Sequence, residues 1–224
     1  ACAPIKTWHQ EIPTHACCLD IAHAAGALDG VPYTNSVTAL DQNLSRGRKV
    51  FEVDFQFTSD NHLVLNHDWD DFDGQPLSHA AFMTQELAYT PTDLPLFLNW
   101  LKTHCPECRV ITDAKDDFWT FWAAFTQQVP QDWRRAKFII QTYSVAQSMK
   151  LAALYTQQPH ILTLYLRDDI TEAELDTLKS NTKLIAVTMP INRLPTWRAR
   201  VEKALSLPVY THGYPWMMTS NFML

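Results

Sequence analysis

The chain has 224 residues, 46% of them apolar and 19% charged, with a formal net charge of −6. That length supports one sizeable core and is short for two full domains. The composition is ordinary for a soluble globular protein, and no apolar run nears the roughly 20 residues that span a bilayer. With an acidic balance and no Lys/Arg-rich block, nucleic acid is not an expected partner. An anionic substrate is not excluded, because one bound metal ion reverses the local sign of an acidic site.

Residues 1–15 are polar, carry two prolines and read as an N-terminal arm; residues 16–224 read as one domain. The first expected strand is Cys18–His23, followed by a loop containing Gly26 and Gly30. Ser36 is placed to cap a helix running to about Arg46. The second strand is Val50–Phe57. A turn at residues 58–61 leads into a returning strand, His62–Asn66, and residues 69–92 read as irregular. A helix is expected over Leu94–His104, starting after Thr92 or Asp93. Strand and helix then alternate: Arg109–Asp113 with Phe118–Gln128, Lys137–Thr142 with Val145–Thr156, and Ile161–Leu166 with Glu172–Ser180 capped by Thr171. Lys183–Met189 with Trp197–Leu205 follows, and Val209–His212 is the seventh strand of the alternation. This alternation is that of an α/β fold with parallel strands, and specifically of a TIM-type (β/α)8 barrel. The tail Trp216–Leu224 is the candidate for the last strand, but the helix that should precede it is missing from the sequence.

In such a barrel the active site lies at the C-terminal ends of the strands. The first strand ends in His23. The second carries Glu52 and Asp54, whose spacing puts both carboxylates on one face. Two carboxylates inside the apolar element Phe51-Glu52-Val53-Asp54-Phe55 call for a cation. The returning strand ends at His67-Asp68, and the next at Asp113-Ala114-Lys115. Glu52, Asp54 and Asp113 together make an oxygen-rich set suited to a hard divalent cation, Mg2+ or Ca2+. Two flanking histidines suit proton transfer near neutral pH. This is a toolkit for breaking a phosphodiester: a metal to neutralise phosphoryl oxygens, one histidine to activate the attacking oxygen, and the other to protonate the leaving alkoxide. Lys115 is placed to stabilise charge on the phosphoryl group. Gln141, Tyr165, Thr188, Tyr210 and His212, near later strand ends, are further candidates for substrate contact. Each of these features alone has a structural reading; their convergence on one pocket carries the functional one.

The stretches Ile21-Ala22-His23, Tyr33-Thr34-Asn35-Ser36, Phe51-Glu52-Val53-Asp54 and Leu63-Val64-Leu65-Asn66-His67-Asp68 resemble the signature of the glycerophosphodiester phosphodiesterase family. The resemblance is dense over residues 19–68 and lighter through 115. It implies a TIM-barrel phosphoric diester hydrolase with His23 and His67 as the acid/base pair, Glu52, Asp54 and Asp113 holding the cation, and Lys115 touching the phosphate. The implied substrate is a small-molecule or lipid-derived glycerophosphodiester, cleaved to an alcohol and a phosphomonoester. Three departures stand out. Ala24 replaces the Arg that many members carry after the first histidine, leaving Lys115 and Arg167 as candidate phosphate contacts. Asp113 is one methylene shorter than the usual Glu. The end Gly213–Asn221 resembles the family's final strand without the helix before it. Alternatives are a phospholipase-like or polymer-directed phosphodiesterase or transferase on the same site, and a non-catalytic metal- and anion-binding barrel.

Five cysteines are present, at 2, 17, 18, 105 and 108. Cys105 and Cys108 read as a local disulfide, free thiols or, with less support, half a zinc site. The disulfide reading favours an extracytoplasmic compartment over the cytoplasm.

Overall fold

The computed structural model describes residues 21–165, 170–212 and 221–222. The expected arm at residues 1–15, Cys2, Cys17, Cys18, Arg167 and residues 213–220 lie outside the described residues. One nine-stranded sheet organises the chain. Seven strands run parallel in the order β1 (Ile21–Ala22), β2 (Val50–Phe57), β4 (Arg109–Ala114), β5 (Phe138–Thr142), β6 (His160–Thr163), β7 (Leu184–Pro190) and β8 (Val209–His212). Two strands run against them: β3 (Leu63–Leu65) forms a hairpin with β2, and β9 (Asn221–Phe222) pairs with β1. This is a TIM-type α/β arrangement. The tail supplies a strand beside β1, as expected, but in the opposite direction. Residues 213–220 are too few for the crossover of roughly a dozen residues that a parallel strand needs.

The helices follow in chain order: α1 (Val37–Ser45), α2 (His79–Met83), α3 (Leu94–Thr103), α4 (Phe118–Gln128), α5 (Gln131–Lys137), α6 (Val145–Leu154), α7 (Glu172–Leu178) and α8 (Leu194–Leu205). Their starts are written in the sequence. Side chains of Ser36, Asp93, Asp117, Ser144 and Thr171 each accept from a backbone N–H of the first turn, satisfying donors a helix end leaves open. Two helices were not expected. The stretch read as irregular holds α2, and α5 separates α4 from β5. None of the helices among the described residues is long and apolar enough to cross a membrane.

Strand alternation sorts the core into two surfaces. On the outer face Phe51, Val53, Phe55, Val110, Phe138 and Ile140 pack against buried helix residues such as Phe97, Trp100, Phe121 and Phe125. On the inner face Ile21, Ile111, Ile139, Ile161, Ala186 and Tyr210 form an apolar layer, with Val50 against it. Two residues further along the chain stand His23, Glu52, Asp113, Gln141, Thr163 and Thr188. The same alternation therefore builds an apolar floor and, toward the strand C-termini, a polar layer above it. Tyr210, read as a pocket candidate, belongs to the floor, because its burial places it among the isoleucines.

At the opposite end of the strands, Cys105 and Cys108 form a disulfide between α3 and β4, and both are fully buried. This excludes the free-thiol and zinc readings of that pair. Lys137 donates to the carbonyl of Pro106 within the bridged turn.

Candidate active site

Glu52 and Asp54 are almost completely buried on β2, and Asp54 lies opposite Asp113 in the β2–β4 register. Each of the three carboxylates offers an oxygen, and these atoms all lie within 4.8 Å of one another. Glu52 Oε2 accepts the backbone N–H of Ala24 at 2.8 Å, while its buried Oε1 has no hydrogen-bond partner. An orphaned carboxylate oxygen away from water is costly. An all-oxygen set with such an orphan fits a hard divalent cation, so the residues present suit the metal expected from sequence.

Lys115 enters this cluster from the end of β4. Its Nζ donates to Asp113 Oδ2 at 2.8 Å and lies 2.9 Å from Asp54 Oδ1, within ion-pair range but without hydrogen-bond alignment. The charges set one another's titration. Burial, and then Asp54 and Asp113, hold the Glu52 carboxyl well above its usual range. For Asp54 burial acts in the same direction, but Lys115, His23 and His67 outweigh it and hold the group low. Burial works against the Lys115 ammonium, yet the three carboxylates prevail and keep it charged far into the alkaline range.

Two neutral residues of the Tyr33-Thr34-Asn35-Ser36 stretch stand against the acidic cluster and its histidines. Asn35 reads Asp54 twice: its Nδ2 donates to Oδ2 at 2.7 Å, and its Oδ1 accepts the Asp54 N–H at 3.0 Å. Tyr33 stands between the two histidines, edge-on to His23 at 5.4 Å and tilted against His67 at 4.4 Å between ring centroids. A third, Tyr143, had no sequence signal. Its hydroxyl accepts the Ala114 N–H at 2.7 Å and so turns its proton to Asp113 Oδ1. Burial and Asp113 raise that phenol well above its usual range.

His23 follows β1 in a tight turn. Its Nε2 is 3.6 Å from Glu52 Oε2. Ala24 and Ala25 both adopt positive φ, at 49° and 66°, which turns the Ala24 N–H toward Glu52. Gly26 closes the turn at φ 87°; a Cβ there would meet Asn43 Nδ2 at 2.3 Å, so only glycine fits. Burial, then Lys115 and His67, hold His23 below its usual range against the pull of Asp54 and Asp113. His67 sits past the β2–β3 hairpin with Nδ1 2.6 Å from Asp68 Oδ2, and its side chain is about one-third exposed.

The structure thus brings together His23, His67, Glu52, Asp54, Asp113 and Lys115. Gln141 lies buried in the same inner layer, its Oε1 without a hydrogen-bond partner. Tyr165 stacks on Tyr143 at 6.4 Å, and burial and the nearby carboxylates raise its phenol. Thr188 is buried in the polar layer. His212 is placed by its backbone at the end of β8, opposite Pro190. The aromatic residues Trp69 and Phe72 pack with Phe82 in a small cluster of their own, and Phe118 belongs to the main core.

No family model and no curated protein matches the sequence. Solved structures do. A glycerophosphodiester phosphodiesterase from Parabacteroides distasonis superposes with a TM-score of 0.64 at 16% identity, over 87% of this chain and 82% of that one. One from Thermotoga maritima gives a TM-score of 0.63 at 11% identity, over 87% and 85%. A third, from Agrobacterium tumefaciens, gives 0.56 at 14% identity, over 88% and 85%. At these identities the likeness is one of fold, and the chain has the TIM-type barrel fold that these glycerophosphodiester phosphodiesterases share.

Proposed function

We propose that the chain is a metal-dependent phosphodiesterase that hydrolyses a glycerophosphodiester-like substrate to an alcohol and a phosphomonoester. The observation that carries this reading is the buried set Glu52, Asp54 and Asp113, its carboxylate oxygens within 4.8 Å of one another, flanked by two histidines. The fold shared with solved glycerophosphodiester phosphodiesterases supports it.

Glu52, Asp54 and Asp113 would hold the cation, Mg2+ or Ca2+. When bound, it neutralises phosphoryl oxygens and orients the phosphate. The Lys115 ammonium, already inside the cluster, is within reach of the same phosphoryl charge. His23 and His67 share the proton work. One takes a proton from the attacking water as the new P–O bond forms. The other gives a proton to the leaving alkoxide as the old P–O bond breaks. Asp68 on Nδ1 orients the His67 ring and leaves Nε2 for that exchange. Gln141 and Tyr165, and His212 from its place at the end of β8, are assigned to substrate contact. The Cys105–Cys108 disulfide supports residence in an oxidising, extracytoplasmic compartment.

The test is hydrolysis of glycerophosphocholine and bis-p-nitrophenyl phosphate by protein stripped with EDTA and resupplied with Mg2+ or Ca2+. Activity should vanish on stripping and return with one cation. Glu52→Gln and His67→Ala should each lower kcat by about 100-fold or more while the protein stays folded. A fully active His67→Ala protein would sink the assignment.

A further inference from the structure

The two histidines come from separate segments, one after β1 and one after β3, and a third segment bridges them. We infer that Tyr33 is a positioning residue: its ring sets the spacing and orientation of His23 and His67. This rests on the reading that these two histidines share the proton work.

The ring contacts are direct. Tyr33 meets His23 edge-on at 82° between planes and lies tilted at 42° against His67. Edge-on and tilted aromatic pairs at these separations are attractive and orientation-dependent. His67 needs such a restraint, since its side chain is about one-third exposed and its polar tether, Asp68, is merely the next residue in the chain.

The backbone is built to deliver that ring. Tyr33 sits at φ 60°, in the left-handed region that a bulky residue rarely enters, and Asn35 sits at φ 46°. Such a conformation persists only where the surroundings over-determine it, and it clusters at functional sites. Here both flanks are pinned. Before Tyr33, Leu28 and Val31 exchange backbone hydrogen bonds of 2.9 and 2.8 Å. After it, Asn35 is locked to Asp54, Ser36 caps α1, and the Val37 N–H donates to Thr92 Oγ1 at 3.0 Å. The same Asn35–Asp54 pairing couples the loop to the carboxylate cluster, so the ring, the histidines and the cation ligands hold one geometry. A displacement near 1 Å at reacting groups can cost about 100-fold in rate.

The experiment compares Tyr33→Phe, Tyr33→Ala and Tyr33→Leu with His23→Ala and His67→Ala on bis-p-nitrophenyl phosphate. Cation Kd is measured by calorimetry and folding by circular dichroism. Tyr33→Ala should lower kcat by about 10- to 100-fold, with KM and cation Kd within about twofold of the parent. Tyr33→Phe, which keeps the ring, should restore kcat to within about threefold. Tyr33→Leu, which keeps bulk without the ring, should behave like Ala and serves if the Ala loop does not fold. Tyr33→Ala and Tyr33→Leu near parental kcat, with both histidine variants inactive, would overturn the role of Tyr33 and leave the phosphodiesterase reading standing. Loss of cation affinity in step with kcat would overturn it in favour of a structural role. Fully active histidine variants would remove the reading on which it rests.

Discussion

Lys115 is the counter-charge to three carboxylates that the fold packs into one buried cluster. Its ammonium lies against two of them, Asp54 and Asp113, which belong to the set that would hold a cation. Replacing it by methionine keeps the aliphatic stem and removes the charge. Stripped of metal, Lys115→Met should be destabilised by about 3 kcal/mol in urea denaturation, the cost of breaking a buried pair and leaving its partner uncompensated. Its cation Kd should fall, because the competing positive charge is gone; a Kd that rises in calorimetry would show that Lys115 supports the cation rather than offsetting it. At this scale the ionisable groups were legible, since each stands at a strand end with telling spacing. Their neutral supports were not. Asn35 meets Asp54 and Tyr143 meets Asp113 only across the folded chain, and Tyr33 and Asn35 depend on a positive φ that no propensity of tyrosine would suggest.

Elements with strong alternation, or with a good cap ahead of several periodic turns, were readable along the chain, and uncapped or very short ones were not. β2 shows its two faces in Val50–Phe57, and α7 carries a full capping box between Thr171 and Glu174. In contrast α5 follows Pro130 with no side-chain cap, and α2, though capped by Ser78, is only five residues long, too short to show a helical period. The α6–β6 packing holds a feature no periodicity reveals. His160, fully buried at the start of β6, has Nε2 2.9 Å from Ser148 Oγ and accepts from Asn181 Nδ2 at 3.0 Å, so that nitrogen must be unprotonated. Burial lowers its pKa from 6.5 to about 4. The unfolded chain therefore takes up this proton before the folded one does. The stability tied to His160 is fully present above about pH 6.5 and declines by about 1.4 kcal/mol per pH unit down to about pH 4. Between pH 7.5 and 5.0 the parent should lose about 2 kcal/mol more than His160→Gln in urea denaturation. Equal losses in the two proteins would mean that His160 is not held neutral.

For the molecule as a whole, the barrel rhythm was evident because each parallel strand repeats one pattern, an apolar residue followed two positions later by a polar one, as in Ile111 and Asp113 or Ile139 and Gln141. How the sheet ends was not, because the direction of β9 depends on the length of its connection rather than on its own two residues. The cation cluster is a property of this whole assembly. Glu52 and Asp54 come from β2 and Asp113 from β4, and only the folded sheet sets their oxygens within 4.8 Å of one another. A cation that binds there stabilises the folded state alone. At a free concentration one hundred times its Kd the gain is about 2.7 kcal/mol, which for a domain of this size raises Tm by about 5 to 10 °C. Thermal unfolding of stripped protein, followed by circular dichroism with increasing Mg2+ or Ca2+, reads this without any substrate. Glu52→Gln removes one anionic ligand and should lose most of the shift while its own metal-free Tm stays within a few degrees of the parent or rises, since a group held toward neutrality by burial gives up little on becoming an amide. A parent protein whose Tm moves with neither cation would leave the three carboxylates without the ligand that their burial demands.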